Sequence, residues 1–203
     1  MVVFGERSNY MPTIDIGICL NKFALSRNIS KIENTLLVSL NILLQKDDIT
    51  FTSTYIYDEK IDSGIDIFNL KDSLQQIINS KPYNRMIFKS SEKNFFVTIG
   101  FIKNDLTIGL NLDYEFFSDI LQKTTPISLL NFIQKRLYKL HEKVQYNFVF
   151  ADFDAEFDYS YFQLLEMIKE ENNPYCLLII DDNGSLKIYK SSYNLLGYPY
   201  EKD

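Results

Sequence analysis

Residues 150–161, FADFDAEFDYSY, carry the side chains whose types and spacing are best suited to binding chemistry. If the preceding strand continues through this acidic segment, its side chains alternate between two faces with a period of two. One face then carries all four carboxylates, which are Asp152, Asp154, Glu156 and Asp158. Like charges so close together repel one another, so the arrangement calls for a partner or for exposure to solvent.

The acidic segment has three interpretations. Its carboxylates can face the basic surface of a protein partner, with Tyr159 and Tyr161 as aromatic anchors. They can instead supply hard oxygen ligands to Mg²⁺ or Ca²⁺, although Phe157 or Tyr159 falls where an EF-hand loop requires glycine. The third interpretation is a solvated loop edge, whose last acid favours the positive end of the following helix. We expect the first, with no bound metal.

The residues typical of catalytic sites are few and scattered. His141 is the only histidine, and it falls near the end of a predicted helix, which predicts a surface position. Cys19 and Cys176 lie in apolar, strand-like runs that predict buried thiols. One histidine and two distant cysteines do not suggest a catalytic triad or a zinc site, and no phosphate-binding glycine loop is present. We therefore expect neither enzymatic activity nor a cofactor.

Residues 94–113 predict a β-hairpin that organises the chain. With Asn104 and Asp105 as a two-residue turn, the predicted cross-strand pairs are Lys103–Leu106, Phe101–Ile108, Ile99–Leu110 and Val97–Leu112. The large apolar side chains then share one face of the hairpin. Gly100 falls opposite Gly109 on the other face, which is thinner and half polar.

The remaining elements follow from periodicity and capping signals. Strands are predicted at 13–20, 49–57, 85–89 and 145–151, with a closing hairpin of 175–180 and 186–190 about Asn183 and Gly184. Helices are predicted at 31–45, 70–81, 114–122, 126–143 and 160–171. Asn69 is a predicted cap of the 70–81 helix, and Ser30 with Glu33 and Ser160 with Gln163 match capping boxes. Residues 58–66 are expected to form a polar connection with a solvated acidic patch at Asp58, Glu59, Asp62 and Asp66.

These elements predict a single α+β domain over residues 1–203. We expect one mostly antiparallel sheet with a central meander and amphipathic helices packed on its apolar face. The alternative is a domain boundary near residues 123–124.

Charge and hydropathy argue against two classes of partner, namely nucleic acids and membranes. The chain has 21 Lys and Arg against 27 Asp and Glu, a net charge of −6. A nucleic-acid partner is not expected, because proteins that bind nucleic acid usually present a basic face. The opening MVVFGERSNYMP lacks an apolar signal region, and no run approaches the roughly 18 apolar residues of a membrane span. We expect a cytoplasmic protein with no membrane association.

An acidic, cysteine-poor α+β chain with the segment FADFDAEFDYSY resembles the bacterial immunity proteins of polymorphic toxin systems. The resemblance extends to the general build of the whole chain and implies a non-catalytic protein that binds and neutralises a cognate toxin, often a nuclease with a basic surface. The alternative is a metal-dependent hydrolase that uses the carboxylates from Asp152 to Asp158. A third hypothesis is a structural or regulatory domain that binds through the exposed face of the central hairpin.

Overall fold

The computed structural model describes residues 13–20, 28–58, 62–80, 83–90, 93–102, 105–113, 126–153, 155 and 159–192. The described strands are β1 (Thr13–Leu20), β2 (Thr50–Asp58), β3 (Ser63–Ile67), β4 (Tyr83–Ser90), β5 (Lys93–Ile102), β6 (Asp105–Asp113), β7 (Phe148–Phe153), β8 (Leu177–Asp182) and β9 (Ser185–Lys190). The described helices are α1 (Ile29–Leu44), α2 (Leu70–Ser80), α3 (Pro126–His141) and α4 (Tyr161–Lys169).

All the strands belong to one sheet with the order β3-β2-β4-β5-β6-β1-β7-β8-β9, and every neighbouring pair is antiparallel. This confirms the α+β class and the central meander, which is β4-β5-β6. Strand β1 lies between β6 and β7, so strands from both sides of residues 123–124 share the sheet. None of the helices in the described part of the chain has the length and apolar content that a membrane span requires.

The first face of the sheet carries the main core. Strand β1 contributes alternate residues to it: Ile14, Ile16, Ile18 and Leu20. The buried stripes of α1, α2 and α3 pack against this face. Burial of each such Leu or Ile side chain contributes about 1.5–3 kcal/mol, so this layer is the main source of stability.

The central hairpin has the predicted faces but a different register. Phe101 pairs with Leu106 and Ile99 pairs with Ile108, and the last pair of the ladder is Ile102 with Asp105. The register differs from the predicted one by two residues, so every side chain keeps its predicted face. Alternation alone cannot distinguish registers that differ by an even number. The glycine pairing was therefore wrong, since Gly100 lies opposite Thr107.

Helix α4 lies on the second face, whereas the sequence predicted all helices on one face. Its Leu164 belongs to a separate buried cluster with Phe148, Phe150, Leu178 and Ile180. These strand residues alternate with Val149, Ala151, Leu177 and Ile179 of the main core. The continuous apolar runs of β7 and β8 are typical of strands that are buried on both faces.

The capping signals were confirmed at two helices and wrong at a third. The Asp72 amide donates to Asn69 Oδ1 at the start of α2, at 3.1 Å, and the Ser160 amide donates to Gln163 Oε1 at 2.9 Å. Helix α1 is instead capped by Asn28, whose Oδ1 accepts from the Lys31 amide. The predicted capping residue Ser30 lies within the helix.

The polar connection predicted at 58–66 was wrong, because Ser63–Ile67 forms the edge strand β3. Its alternation of small, apolar and acidic residues left it without a clear apolar face in the sequence. The helix predicted at 114–122 lies outside the described residues.

Arg136 joins two helices. It extends from α3 to the end of α1, where its guanidinium donates to the Leu43 carbonyl and to Gln45 Oε1, both at 2.6 Å. The flat face of the guanidinium lies over the Phe132 ring, with its carbon 3.8 Å from the ring centroid. Burial lowers the pKa of Arg136 to about 10, so the side chain remains cationic at neutral pH. A cation at a helix C-terminus stabilises carbonyls that lack partners within the helix.

We expect Arg136→Met to lower the free energy of unfolding by about 1–3 kcal/mol, because it leaves the buried Leu43 carbonyl without its donor. Lys135→Met is the matched control, since Lys135 is the exposed neighbour on the same helix. Urea unfolding monitored by circular dichroism measures both. Equal destabilisation by the two variants would contradict this role.

Candidate functional site

The structure describes only part of the acidic segment. Strand β7 ends at Phe153, and Ala155 is not part of a strand. Asp154, Glu156 and Asp158 lie outside the described residues. Of the four carboxylates predicted to share one face, only Asp152 therefore lies in a described strand.

Asp152 makes hydrogen bonds within the protein. Its Oδ1 accepts from the Phe153 amide at 2.7 Å, and its Oδ2 accepts from the Cys176 amide at 3.2 Å. The second bond ties the end of β7 to the residue that precedes β8. A carboxylate held in this way supports the fold, and binding of a partner by Asp152 stays a prediction.

Asp152 belongs to a polar row on the second face that the sequence did not reveal. It lies directly opposite Asp15 of β1, which is only 8% exposed. Asp15 accepts from Asn111 Nδ2 at 2.7 Å and from the Ala155 amide at 2.8 Å. Two carboxylates opposite each other destabilise a sheet, and these N–H donors offset the repulsion. The signal in the sequence was an acid in the apolar run TIDIGICL.

Both cysteines are free and buried, as predicted. Burial raises the pKa of Cys176 to about 12, with a further contribution from the neighbouring Asp152. Burial and the nearby Asp105 also raise the pKa of Cys19 well above that of an exposed thiol. Because the thiolate is the nucleophilic form, neither side chain is activated for catalysis.

His141 is not the surface residue that the sequence predicted. Only 18% of its side chain is exposed, and its Nε2 lies 3.1 Å from Asp181 Oδ2. Its ring also meets Tyr146 edge to face, with centroids 4.8 Å apart. The helix end was predicted correctly, but β8 lies beside it, and that long-range contact has no local signal.

The two predicted tyrosine anchors are half-buried. The Tyr161 hydroxyl donates to the Asp181 carbonyl at 3.2 Å. Burial raises the pKa of Tyr161, and the negative charges of Asp182 and Asp181 raise it further. Tyr159 meets Tyr175 edge to face at 6.1 Å. Both rings are ordered by internal contacts and leave only part of their surface open to a partner.

Phe162 is the exposed aromatic side chain beside the acidic segment. It is 71% exposed, and its ring meets Tyr161 edge to face at 5.7 Å. The sequence held a signal, because the inward stripe of α4 consists of residues 161, 164, 165 and 168 and omits Phe162. Phe162 instead shares a helix face with Glu166, four residues on. We call Tyr161, Phe162, Glu166 and Asp182 the α4 surface.

Among the described residues, no group of three or more His, Cys, Asp or Glu side chains is arranged to hold a metal ion. No protein-family model matches the chain, and neither a curated protein nor a solved structure shows significant similarity to it.

We expect both thiols of the folded protein to be protected from a chromogenic disulfide reagent at about pH 8, and to react fully once urea unfolds the chain. The raised pKa values also predict a pH dependence. Above about pH 8.5 the unfolded thiols ionise while the folded ones stay protonated, so stability falls as pH rises by up to about 1.4 kcal/mol per pH unit for each thiol.

The decline in the free energy of unfolding between about pH 8.5 and pH 10 is expected to be shallower in Cys176→Ala than in the wild type. Rapid labelling of the native protein, or identical slopes for the two proteins, would contradict the protected state of Cys176.

Proposed function

We propose that this protein is a non-catalytic binding module of the immunity type, which binds and neutralises a toxin with a basic surface. The observation that carries the proposal is the 71% exposure of Phe162 at the start of α4, directly after the acidic segment. Its position supports the interpretation of this region as a partner surface and moves the main anchor from the tyrosines to Phe162.

The α4 surface has the aromatic composition that is typical of the centre of a protein–protein interface. Aromatic residues supply much of the binding energy of protein interfaces, and here the exposed ring lies against a second ring. Tyr161 is already held by the Asp181 carbonyl, so little conformational freedom is lost when a partner covers it. Capping by Ser160 and Gln163 fixes the helix that presents Phe162.

The charges around Phe162 favour a basic partner. Asp154, Glu156 and Asp158 precede α4 directly in the chain, and Glu166 lies on the same helix. Lys169 pairs with Glu166 and Lys187 pairs with Asp182, so the proposed steering is assigned to Asp154, Glu156 and Asp158. Carboxylates at the rim of an aromatic patch steer a basic protein toward it and make the association rate depend on salt.

The variants that test this proposal exclude Asp152, because reversing its charge would break hydrogen bonds between β7 and β8. The steering variant is Asp154→Lys/Glu156→Lys/Asp158→Lys. The anchor variant is Phe162→Ala. Phe68→Ala is its matched control, since Phe68 is 76% exposed at a different part of the surface, after β3.

We expect wild-type protein to capture a basic protein from its native cell, one that is toxic when expressed alone and harmless when co-expressed with this chain. Phe162→Ala is expected to weaken the purified complex by at least about tenfold, and Phe68→Ala to leave it unchanged. The triple variant should slow association and remove most of its salt dependence.

Surface plasmon resonance at several salt concentrations measures these effects. Capture of no such toxin, or equal affinity for all variants, would overturn the proposal. A rise in melting temperature with Mg²⁺, Mn²⁺ or Ca²⁺ would instead favour the alternative, a metal-dependent hydrolase.

A further inference from the structure

Among the described elements, helix α4 covers one half of the second face of the sheet and no helix covers the other half. Over β7 and β8 it is closed by α4, and Phe148, Phe150 and Leu178 are buried there. Over β2, β4 and β5 it presents exposed side chains, among them Tyr55 at 40% exposure and Arg85. Helix α2, which contacts β2 and β3, packs with the first-face core, so it does not cover this open half.

Arg85 is held in place on this open half by an aromatic ring. Its guanidinium carbon lies 3.4 Å from the centroid of the Phe96 ring on the neighbouring strand β5. Stacking uses the flat face of the guanidinium and leaves its N–H edges available. In the described part of the chain Arg85 has no carboxylate partner, whereas Lys71 and Lys169 pair with Glu33 and Glu166.

Tyr55 extends the flat surface on the other side of Arg85. The two residues are directly opposite each other on β2 and β4. The Tyr55 ring lies across Gly64 of the edge strand, where an added Cβ would fall 2.2 Å from the Tyr55 hydroxyl oxygen. Glycine at that position therefore lets the ring lie flat over β3. The Arg85 guanidinium thus lies toward β5, diagonally over Phe96, whereas the Tyr55 ring lies toward β3. We call these three side chains of adjacent strands the Tyr55–Arg85–Phe96 row.

We propose that the Tyr55–Arg85–Phe96 row binds an acidic peptide segment of a protein partner, with a carboxylate on Arg85 and an adjacent apolar or aromatic side chain on the Tyr55 ring. A guanidinium can bind a carboxylate through two parallel hydrogen bonds. Because stacking on Phe96 already restricts Arg85, binding loses less side-chain entropy than it would at a free arginine. The Tyr55 ring supplies apolar contact beside the charged pair, while the stacked face of Phe96 is taken up by the guanidinium.

The single cation of the row suits one acidic side chain better than a nucleic acid. The chain has a net charge of −6, and Asp66 lies directly opposite Tyr55 at the outer end of the row. A nucleic-acid strand brings a phosphate at every nucleotide and needs several cations to neutralise them. A single acidic side chain needs only the one guanidinium that the row provides. This site is independent of the α4 surface and of the toxin proposed to bind there.

The probe for this proposal is a synthetic peptide, acetyl-Gly-Tyr-Glu-Tyr-Glu-Gly-amide, titrated into ¹⁵N-labelled protein. The Nε–Hε resonance of Arg85 reports binding by NMR. We expect a saturable shift with this peptide, and at least about tenfold weaker binding of the same peptide with glutamine in place of both glutamates.

Arg85→Lys is expected to weaken binding of the glutamate peptide by at least about tenfold, because lysine cannot form the paired hydrogen bonds. Phe96→Leu should weaken it also, by releasing the guanidinium. Lys135→Gln is the control and should bind as the wild type does, since it removes an exposed cation from α3. Amide spectra of each variant establish that the sheet is intact.

Equal affinity for the glutamate and glutamine peptides would overturn the proposal, as would the absence of a saturable Arg85 shift in intact protein. Displacement of the peptide by a short single-stranded oligonucleotide that itself shifts Arg85 more strongly would also overturn it and assign the row to nucleic acid. None of these outcomes depends on capture of the toxin, so the two proposals fail separately.

Discussion

The structure depends on the pairing of β1 on both of its edges. This strand hydrogen-bonds β6 on one side and β7 on the other, and thereby joins the meander to the strands that follow α3. Its side chains serve both layers, because Ile16 and Ile18 face the three-helix core while Cys19 belongs to the cluster under α4. The strand is almost entirely buried, so the carboxylate of its one acid, Asp15, must accept hydrogen bonds from within the protein. Asn111 and the Ala155 amide donate these bonds, and the second bond also fixes Ala155, which precedes α4 in the chain.

The parts of the fold that depend on local patterns could be predicted from the sequence. Alternation gave the faces of the central hairpin, and helical spacing with caps at Asn69 and Ser160 gave the helices. The two-residue difference in register could not be found in this way, because both registers bury the same side chains. The position of β1 between β6 and β7, both of which lie far from β1 in the sequence, has no local signal either. The same holds for the Arg136 contact with the end of α1, which joins residues 93 positions apart.

The candidate site shows the same limit at the level of single side chains. Four acids at alternate positions predict a charged face only if nothing inside the protein needs them. Asp152 is directed to the Cys176 amide, a donor that the chain supplies 24 residues later, and no local pattern predicts that contact. Phe162, in contrast, was recognisable as an aromatic residue outside the inward stripe of its helix. Helical periodicity thus held a signal for the exposure of Phe162, whereas the internal hydrogen bond of Asp152 had none.

In the part of the chain that the structure describes, the second face is covered unevenly, and we have proposed partners of opposite charge for its two exposed surfaces. The row at Arg85 lies on β4 and β5, and α4 covers β7 and β8, with β6 and β1 between them. At about 4.8 Å per strand, four spacings separate β4 from β7 by about 19 Å. An interface of ordinary size spans more than this distance, so one partner can reach both. The two proposed sites are independent, but a partner that bound both would need basic groups toward α4 and an acid toward Arg85. Reversing such a partner would bring like charges together at both ends, so the two proposals together imply one docking orientation.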